Sequence, residues 1–267
     1  MNIGFIGAGN MGGAILKGCL AGGEIQPAQV FVTDPDQGKL DKLRSELAIV
    51  PCGDIRELTR KADLIFIGVK PGHFDQVLPE ISTEFNQDKV VVSMAAGISI
   101  GYISRFLGED PPIIRIMPNT PALVGEGMTA VCRNQSVSEE AFSRALLILE
   151  AIGRVSEVEE EQIHTVIGVS GSSPAYTYMY IDALAKSAEA GGLSREKSLL
   201  FAAQAVLGAA KMVLETGIDP EQLRINVCSP GGTTIEAVKK LQENGFEEKV
   251  AEGFQAAVDK SRQMEKK

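Results

Sequence analysis

Met1-Asn2-Ile3-Gly4-Phe5-Ile6-Gly7-Ala8-Gly9-Asn10-Met11-Gly12 opens the chain and leads into Gly13-Ala14-Ile15-Leu16-Lys17. A short apolar run that breaks into glycines spaced G-x-G-x-x-G predicts a strand, a tight turn and a helix. Gly7 makes the turn, Gly9 lets backbone approach a pyrophosphate, and Gly12 permits close packing of helix on strand. The N–H groups at the helix start are then free to face an anion. The same spacing also describes a plain glycine turn between two elements. Asp34 favours the dinucleotide, because it follows the last glycine by roughly the 20 residues expected of a ribose-binding carboxylate.

Outward from this turn, Gln29 to Thr33 reads as a second strand stopped by Asp34-Pro35-Asp36. A carboxylate at Asp34 accepts hydrogen bonds from a free 2′-hydroxyl and repels a 2′-phosphate. The arginine expected to hold that phosphate is missing, with Lys39 the nearest base, so residue chemistry favours NADH over NADPH. The alternative is that Asp34 only caps a helix entered at Asp36.

Leu64 to Val69 is continuously apolar, as befits a strand buried on both faces, and leads into Lys70-Pro71-Gly72. Lys70 then stands at the carboxyl end of a central parallel strand, where open α/β sheets bind ligands; a solvated turn lysine is the plainer reading. Val90 to Ser93 ends in Met94-Ala95-Ala96-Gly97, small residues that leave room for a flat ring. Ile113 to Met117 runs into Pro118-Asn119-Thr120-Pro121-Ala122, where Asn119 and Thr120 offer polar groups to substrate or nicotinamide. Met128 to Cys132 and Gly153 to Val158 complete the strands, around a helix from Ser138 to Ala151. This alternation predicts an α/β fold with a mostly parallel, doubly wound sheet.

The pattern changes near Glu159, where strand signals stop and three helical segments follow, so the expected domains are 1–158 and 159–267. Two segments, Ser172 to Ala190 and Leu199 to Leu214, are apolar around almost their whole circumference. Such helices need burial on all sides. A domain of about 100 residues can scarcely surround two of them, which predicts an obligate homodimer through the C-terminal helices. The net charge of -9, without a basic tract, argues against nucleic acid and anionic membrane as partners. No apolar stretch is expected to reach the ~20 residues that span a bilayer, and no basic n-region precedes the first apolar run, so the expected location is the cytoplasm. Cys19, Cys52, Cys132 and Cys228 are scattered, and His73 and His164 are the only histidines. No metal-ligand spacing results, and the thiols read as structural.

The second chemically informative stretch is Asn226-Val227-Cys228-Ser229-Pro230-Gly231-Gly232-Thr233-Thr234-Ile235-Glu236-Ala237. Pro-Gly-Gly breaks one helix and the threonines start another. Backbone N–H groups there, with the hydroxyls of Ser229, Thr233 and Thr234, suit either a carboxylate cradle or a plain helix cap. With this stretch, the opening motif, Val69-Lys70-Pro71, Ala95-Ala96-Gly97, Met117-Pro118-Asn119-Thr120-Pro121-Ala122 and Ser170-Gly171-Ser172-Ser173-Pro174-Ala175-Tyr176, the chain resembles pyrroline-5-carboxylate reductase along essentially its full length. Ser173 stands where many members of that family have glycine.

The resemblance implies reduction of 1-pyrroline-5-carboxylate to L-proline by NADPH or NADH, the last step of proline biosynthesis. It implies an N-terminal Rossmann-type doubly wound sheet followed by an all-α C-terminal dimerisation domain, in a homodimer that often assembles into rings. By position, Ile6, Gly7, Ala8, Gly9, Asn10, Met11, Val69, Lys70, Pro71 and Ala96 hold cofactor, with Asn226 near the nicotinamide ribose. Ser229, Gly232, Thr233 and Thr234 hold substrate, with Glu160 nearby, and Thr234 is the expected catalytic orienter. A β-hydroxyacid dehydrogenase shares the opening motif and a helical second domain. It needs a lysine base early in the first long C-terminal helix, and the nearest candidate, Lys186, lies about three turns in. A cofactor-sensing module without catalysis would suit a degenerate substrate loop, and this loop is intact.

Overall fold

The computed structural model describes residues 1–23 and 25–265. Two compact units divide the chain: Met1–Gly171 together with the C-terminal stretch from Ala257, and Ser172–Ala256. The expected boundary between 158 and 159 falls just after the last strand, while the compact division comes at Gly171.

The first unit is built on an eight-stranded sheet. Its elements run β1 (Ile3–Ile6), α1 (Asn10–Ala21), β2 (Val30–Thr33), α2 (Gln37–Leu47), β3 (Val50–Pro51), α3 (Ile55–Lys61), β4 (Leu64–Ile67), α4 (Phe74–Ser82), β5 (Val90–Ser93), α5 (Ile100–Leu107), β6 (Ile113–Met117), β7 (Gly127–Arg133), α6 (Glu139–Glu150), β8 (Gly153–Glu157) and α7 (Ile163–Val166). Strand order is β3-β2-β1-β4-β5-β6-β7-β8. The first six strands are mutually parallel, β7 is antiparallel to β6, and β8 is parallel to β7. Every residue of β1, β4, β5 and β6 is buried, which is why these segments, Ser93 and Arg115 apart, are apolar without alternation. Phe5 and Phe66 stack across β1 and β4 with ring centroids 5.0 Å apart. The order reverses between β1 and β4, and an open α/β sheet binds ligands at the carboxyl ends of the strands beside such a switch point.

The helix starts follow from capping chemistry. Asp36, Asp54, Ser99 and Ser138 each accept a hydrogen bond from a backbone N–H in the first turn of α2, α3, α5 and α6. Asp36, not Asp34, therefore caps α2. The two-residue β3 went unread in the sequence because two residues carry no periodicity.

The second unit is helical: α8 (Ser173–Ala190), α9 (Arg195–Thr216), α10 (Pro220–Val227), α11 (Thr233–Glu243) and the first part of α12 (Phe246–Met264). That is more helices than the three expected segments, because caps and prolines rather than apolar periodicity delimit the short ones. Asp219 caps α10, with Pro220 in its first turn. Arg195 ties α9 to α8 through Asp182 at 2.8 Å and Glu189 at 3.0 Å. Only Ala185 of α8, and Ser198 and Ala202 of α9, are buried. Met179 is 73% exposed, Leu200 65% and Phe201 64%.

Helix α9 corrects one expectation. It spans 22 residues and is long and apolar enough, by length and composition, to cross a membrane. The sequence reading stopped it short, at 199–214; the Ser194 cap and the left-handed Gly217 at its end extend it on both sides.

Candidate active site

The opening turn has the geometry of a phosphate cradle. Gly7 sits at φ 87°, and its N–H donates to the Thr33 carbonyl at 2.8 Å, holding the turn at the end of β1. A Cβ on Gly12 would stand 2.6 Å from the Gly7 carbonyl oxygen, so α1 reaches the strand only because that atom is absent. A Cβ on Gly9 would meet nothing within 4 Å. Gly9 is also the N-cap of α1, and no side chain caps that helix. The first-turn N–H groups and the space over Gly9 fit a dinucleotide pyrophosphate.

Asp34 lies beside this turn with its side chain only 6% exposed. Its Oδ2 accepts from the Ala8 N–H at 2.9 Å, its Oδ1 from the Asp36 N–H at 3.0 Å, and the Lys39 ammonium bonds both oxygens at 2.9 and 3.0 Å. Burial alone pushes the carboxyl upward. The bonds from Ala8, Lys39 and Asp36 outweigh it and hold the group below the usual carboxylate range. Asp34 thus ties the end of β2 to the glycine turn, a contact across 26 residues that spacing does not reveal. A cleft of about 360 Å³ opens here, lined by Ile6, Gly7, Asp34, Pro35, Asp54 and Val69 among others.

Val69 closes on Gly7, its Cγ1 3.0 Å from where a Gly7 Cβ would be. Lys70 is exposed and Pro71 opens a 3-10 turn to His73, as expected of a segment leaving the carboxyl end of β4. Asn10 is exposed, Met11 and Ala96 half-buried, and Ile6 and Ala8 buried. The residues expected around the cofactor in the first unit are therefore gathered along neighbouring strand ends.

Other groups in this unit are occupied structurally. Asn119 is buried; its Oδ1 accepts from the Met128 N–H at 2.9 Å and its Nδ2 donates to the Ser170 carbonyl at 3.1 Å, so the amide is not free for substrate. Glu160 Oε1 accepts from the Ile100 N–H at 2.7 Å and from Arg115 Nη1 at 2.8 Å. Arg115 is fully buried, and Glu265 approaches it at 3.7 Å. His164 meets Ser261 through Nδ1 at 2.9 Å and Glu265 through Nε2 at 3.2 Å. This cluster fastens the last turns of α12 to the sheet. Arg115 and Glu265 are 150 positions apart, and only the apolar setting of Arg115 within β6 hinted at it.

In the second unit, α10 ends at Val227 and α11 begins at Thr233, with Gly232 as N-cap and no side chain capping it. The Gly232 N–H donates to the Ser229 carbonyl at 3.0 Å, which closes the turn, and Gly231 sits at φ 70°. Ser229, Thr233 and Thr234 are exposed. The plain-cap reading needs one of these hydroxyls on the helix N–H groups, and none is there. The exposed Asn226 has its Oδ1 on the Gln222 amide at 2.9 Å.

Among the described residues no three His, Cys, Asp or Glu side chains are grouped to hold a metal. Burial pushes the thiols of Cys19 and Cys132 up to about 12 and that of Cys52 up to about 11, as for inert structural cysteines.

Comparison with known proteins matches these two regions separately and the chain as a whole. The family model described as pyrroline-5-carboxylate reductase dimerisation matches residues 160–264, and one described as NADP oxidoreductase, coenzyme F420-dependent, matches residues 2–97. The chain is 48% identical over 264 residues to the pyrroline-5-carboxylate reductase of Escherichia coli strain K12, covering 99% of this chain and 98% of that one. It resembles the solved pyrroline-5-carboxylate reductase of Coxiella burnetii with a TM-score of 0.92 at 36% identity, over 100% and 99% of the two chains. A Plasmodium falciparum pyrroline carboxylate reductase solved with NADP bound gives 0.90 at 30% identity, over 100% and 98%.

Proposed function

The chain belongs to the pyrroline-5-carboxylate reductase family, and we propose on that footing that it reduces 1-pyrroline-5-carboxylate to L-proline with NADH or NADPH. The observation that carries this reading is the uncapped start of α11 directly after Ser229-Pro230-Gly231-Gly232, in a chain matched from end to end by reductases. We take 1–158 as the dinucleotide-binding part and 159–267 as the part for substrate binding and dimerisation, a functional division distinct from the compact one, which groups 159–171 and the stretch from Ala257 with the sheet.

Bound NADH or NADPH supplies the hydride. The protein's part is to hold and orient. The α1 N–H groups and the space over Gly9 take the pyrophosphate, Asp34 lies at the adenosine ribose, and Val69, Lys70, Pro71 and Ala96 line the route to the nicotinamide end. The α11 N–H groups, with Ser229, Gly232 and Thr233, hold the substrate carboxylate. Thr234 shares a hydrogen bond with the ring nitrogen. Reduction of C=N is easier when that nitrogen is protonated, because hydride then neutralises an iminium instead of creating an amide anion. A hydroxyl is too weak an acid to transfer the proton unaided, so Thr234 orients and the substrate enters as the iminium.

A second copy of the chain covers the exposed apolar faces of α8 and α9, giving a homodimer. The apolar all-round surface of those helices and the dimerisation match over 160–264 support this over a membrane span for α9. We place the enzyme in the cytoplasm as a soluble dimer. The test is loss of NADH or NADPH absorbance with 1-pyrroline-5-carboxylate, against a panel of β-hydroxyacids. Oxidation with the hydroxyacids alone would establish the dehydrogenase, and none with any of them the cofactor sensor.

A further inference from the structure

Asp34 is a bound carboxylate. Its two oxygens carry four bonds: the Ala8 N–H, the Asp36 N–H, and the Lys39 ammonium on each oxygen. It cannot swing away from an incoming 2′-phosphate without releasing the glycine turn. Its charge therefore stays where the adenosine ribose is bound, and something must offset it if a phosphorylated ribose is to fit.

The cleft beside it offers little help. Among the described residues lining the cleft there is no lysine or arginine; the charged ones are Asp34, Asp54 and Glu80, with His73 the single imidazole. The ammonium of Lys39 is the cation bonded to Asp34. It is held there because Lys39 lies in the first turn of α2, where its own N–H donates to the Asp36 cap at 3.1 Å. The lysine side chain is 36% exposed against 6% for the aspartate, so the cation is the partner still open to solvent and to a ligand.

We infer that Lys39 is the residue that admits NADPH: it neutralises Asp34 and presents its ammonium to the 2′-phosphate, making coenzyme choice a property of the Asp34–Lys39 pair rather than of Asp34 alone. The inference rests on the dinucleotide site proposed above and deepens it. A lysine suits this role as a compact charge with three rotatable donors, able to keep one bond to the carboxylate while turning another to phosphate. NADH, with a free 2′-hydroxyl, presents no phosphate for the ammonium to meet.

Isothermal titration calorimetry of the full-length enzyme with NADH and with NADPH, at low salt, tests this without turnover. Lys39→Met should weaken NADPH at least tenfold and change NADH less than threefold, with Lys39→Arg restoring NADPH binding. Added salt should narrow the gap between wild type and Lys39→Met for NADPH only. Equal weakening of both coenzymes would assign Lys39 a merely structural part in holding the turn and overturn the inference, as would unchanged NADPH binding. Wild-type enzyme that binds NADH but no NADPH would also overturn it, leaving the site intact. Wild-type enzyme that binds neither would overturn the dinucleotide site itself.

Discussion

Two glycines of the opening turn separate packing from ligand binding, and replacing each by alanine gives opposite results. At Gly12 the new methyl would lie 2.6 Å from the Gly7 carbonyl oxygen, about 1 Å inside ordinary contact. The obstacle is backbone at φ 87° fixed by the Gly7–Thr33 hydrogen bond, so it cannot turn aside like a side chain. Helix α1 must back away from β1. Overpacking of this kind costs about 1–3 kcal/mol. For a chain of this size that lowers the midpoint of thermal unfolding by roughly 2–4 °C per kcal/mol. At Gly9 the methyl enters open space, and φ -67°, ψ -169° is a conformation alanine adopts freely. Loss of the glycine N-cap costs under about 1 kcal/mol. The methyl instead occupies the proposed pyrophosphate position. Differential scanning fluorimetry of the ligand-free variants and calorimetric titration with NADH measure both. Gly12→Ala should melt clearly lower than wild type; Gly9→Ala should melt close to wild type and bind NADH at least tenfold more weakly. Wild-type NADH affinity in Gly9→Ala would refute the cradle, whatever its stability.

Thr234→Ala should lower kcat well over tenfold while leaving the NADH dissociation constant within about twofold, since the hydroxyl is assigned to the substrate nitrogen; stopped-flow and steady-state rates with unchanged turnover would remove Thr234 from the mechanism. Phe201→Glu places a charge on a side chain 64% exposed in the single chain, so light scattering at micromolar concentration should show the wild-type dimer and a monomeric variant. Because the folded Asp34 carboxyl is held below its usual value, its stabilising effect is present above about pH 4 and is lost as pH falls through the lowered value. Asp34→Asn should accordingly be less stable than wild type at about pH 7, by roughly 1–3 kcal/mol, with the difference shrinking towards about pH 3 in denaturant titrations. A gap that widens on acidification would contradict the Ala8 and Lys39 bonds to this group.

The sequence by itself determined the sheet, apart from the two-residue β3, and the turn it serves. Largely apolar runs at Ile3–Ile6, Leu64–Ile67, Val90–Ser93 and Ile113–Met117 are strands whose both faces are covered, and the three glycines at the end of the first mark where backbone meets backbone. These are local signals, set by side-chain period and by the absence of a Cβ, so they survive in a linear reading. The apolar circumference of α8 and α9 was equally legible, although the full length of α9 was not, since its caps lie outside the apolar run. Tertiary structure decided which polar groups are free. Asn119 read as a contact for substrate or nicotinamide and is consumed by Met128 and Ser170; Asp34 read as a ribose-binding carboxylate or a helix cap and is bound by Ala8, Asp36 and Lys39; Glu160 is gripped by Arg115 and Ile100. A polar side chain's role depends on the donors and acceptors that distant segments bring within about 3 Å of it, and no spacing rule encodes that.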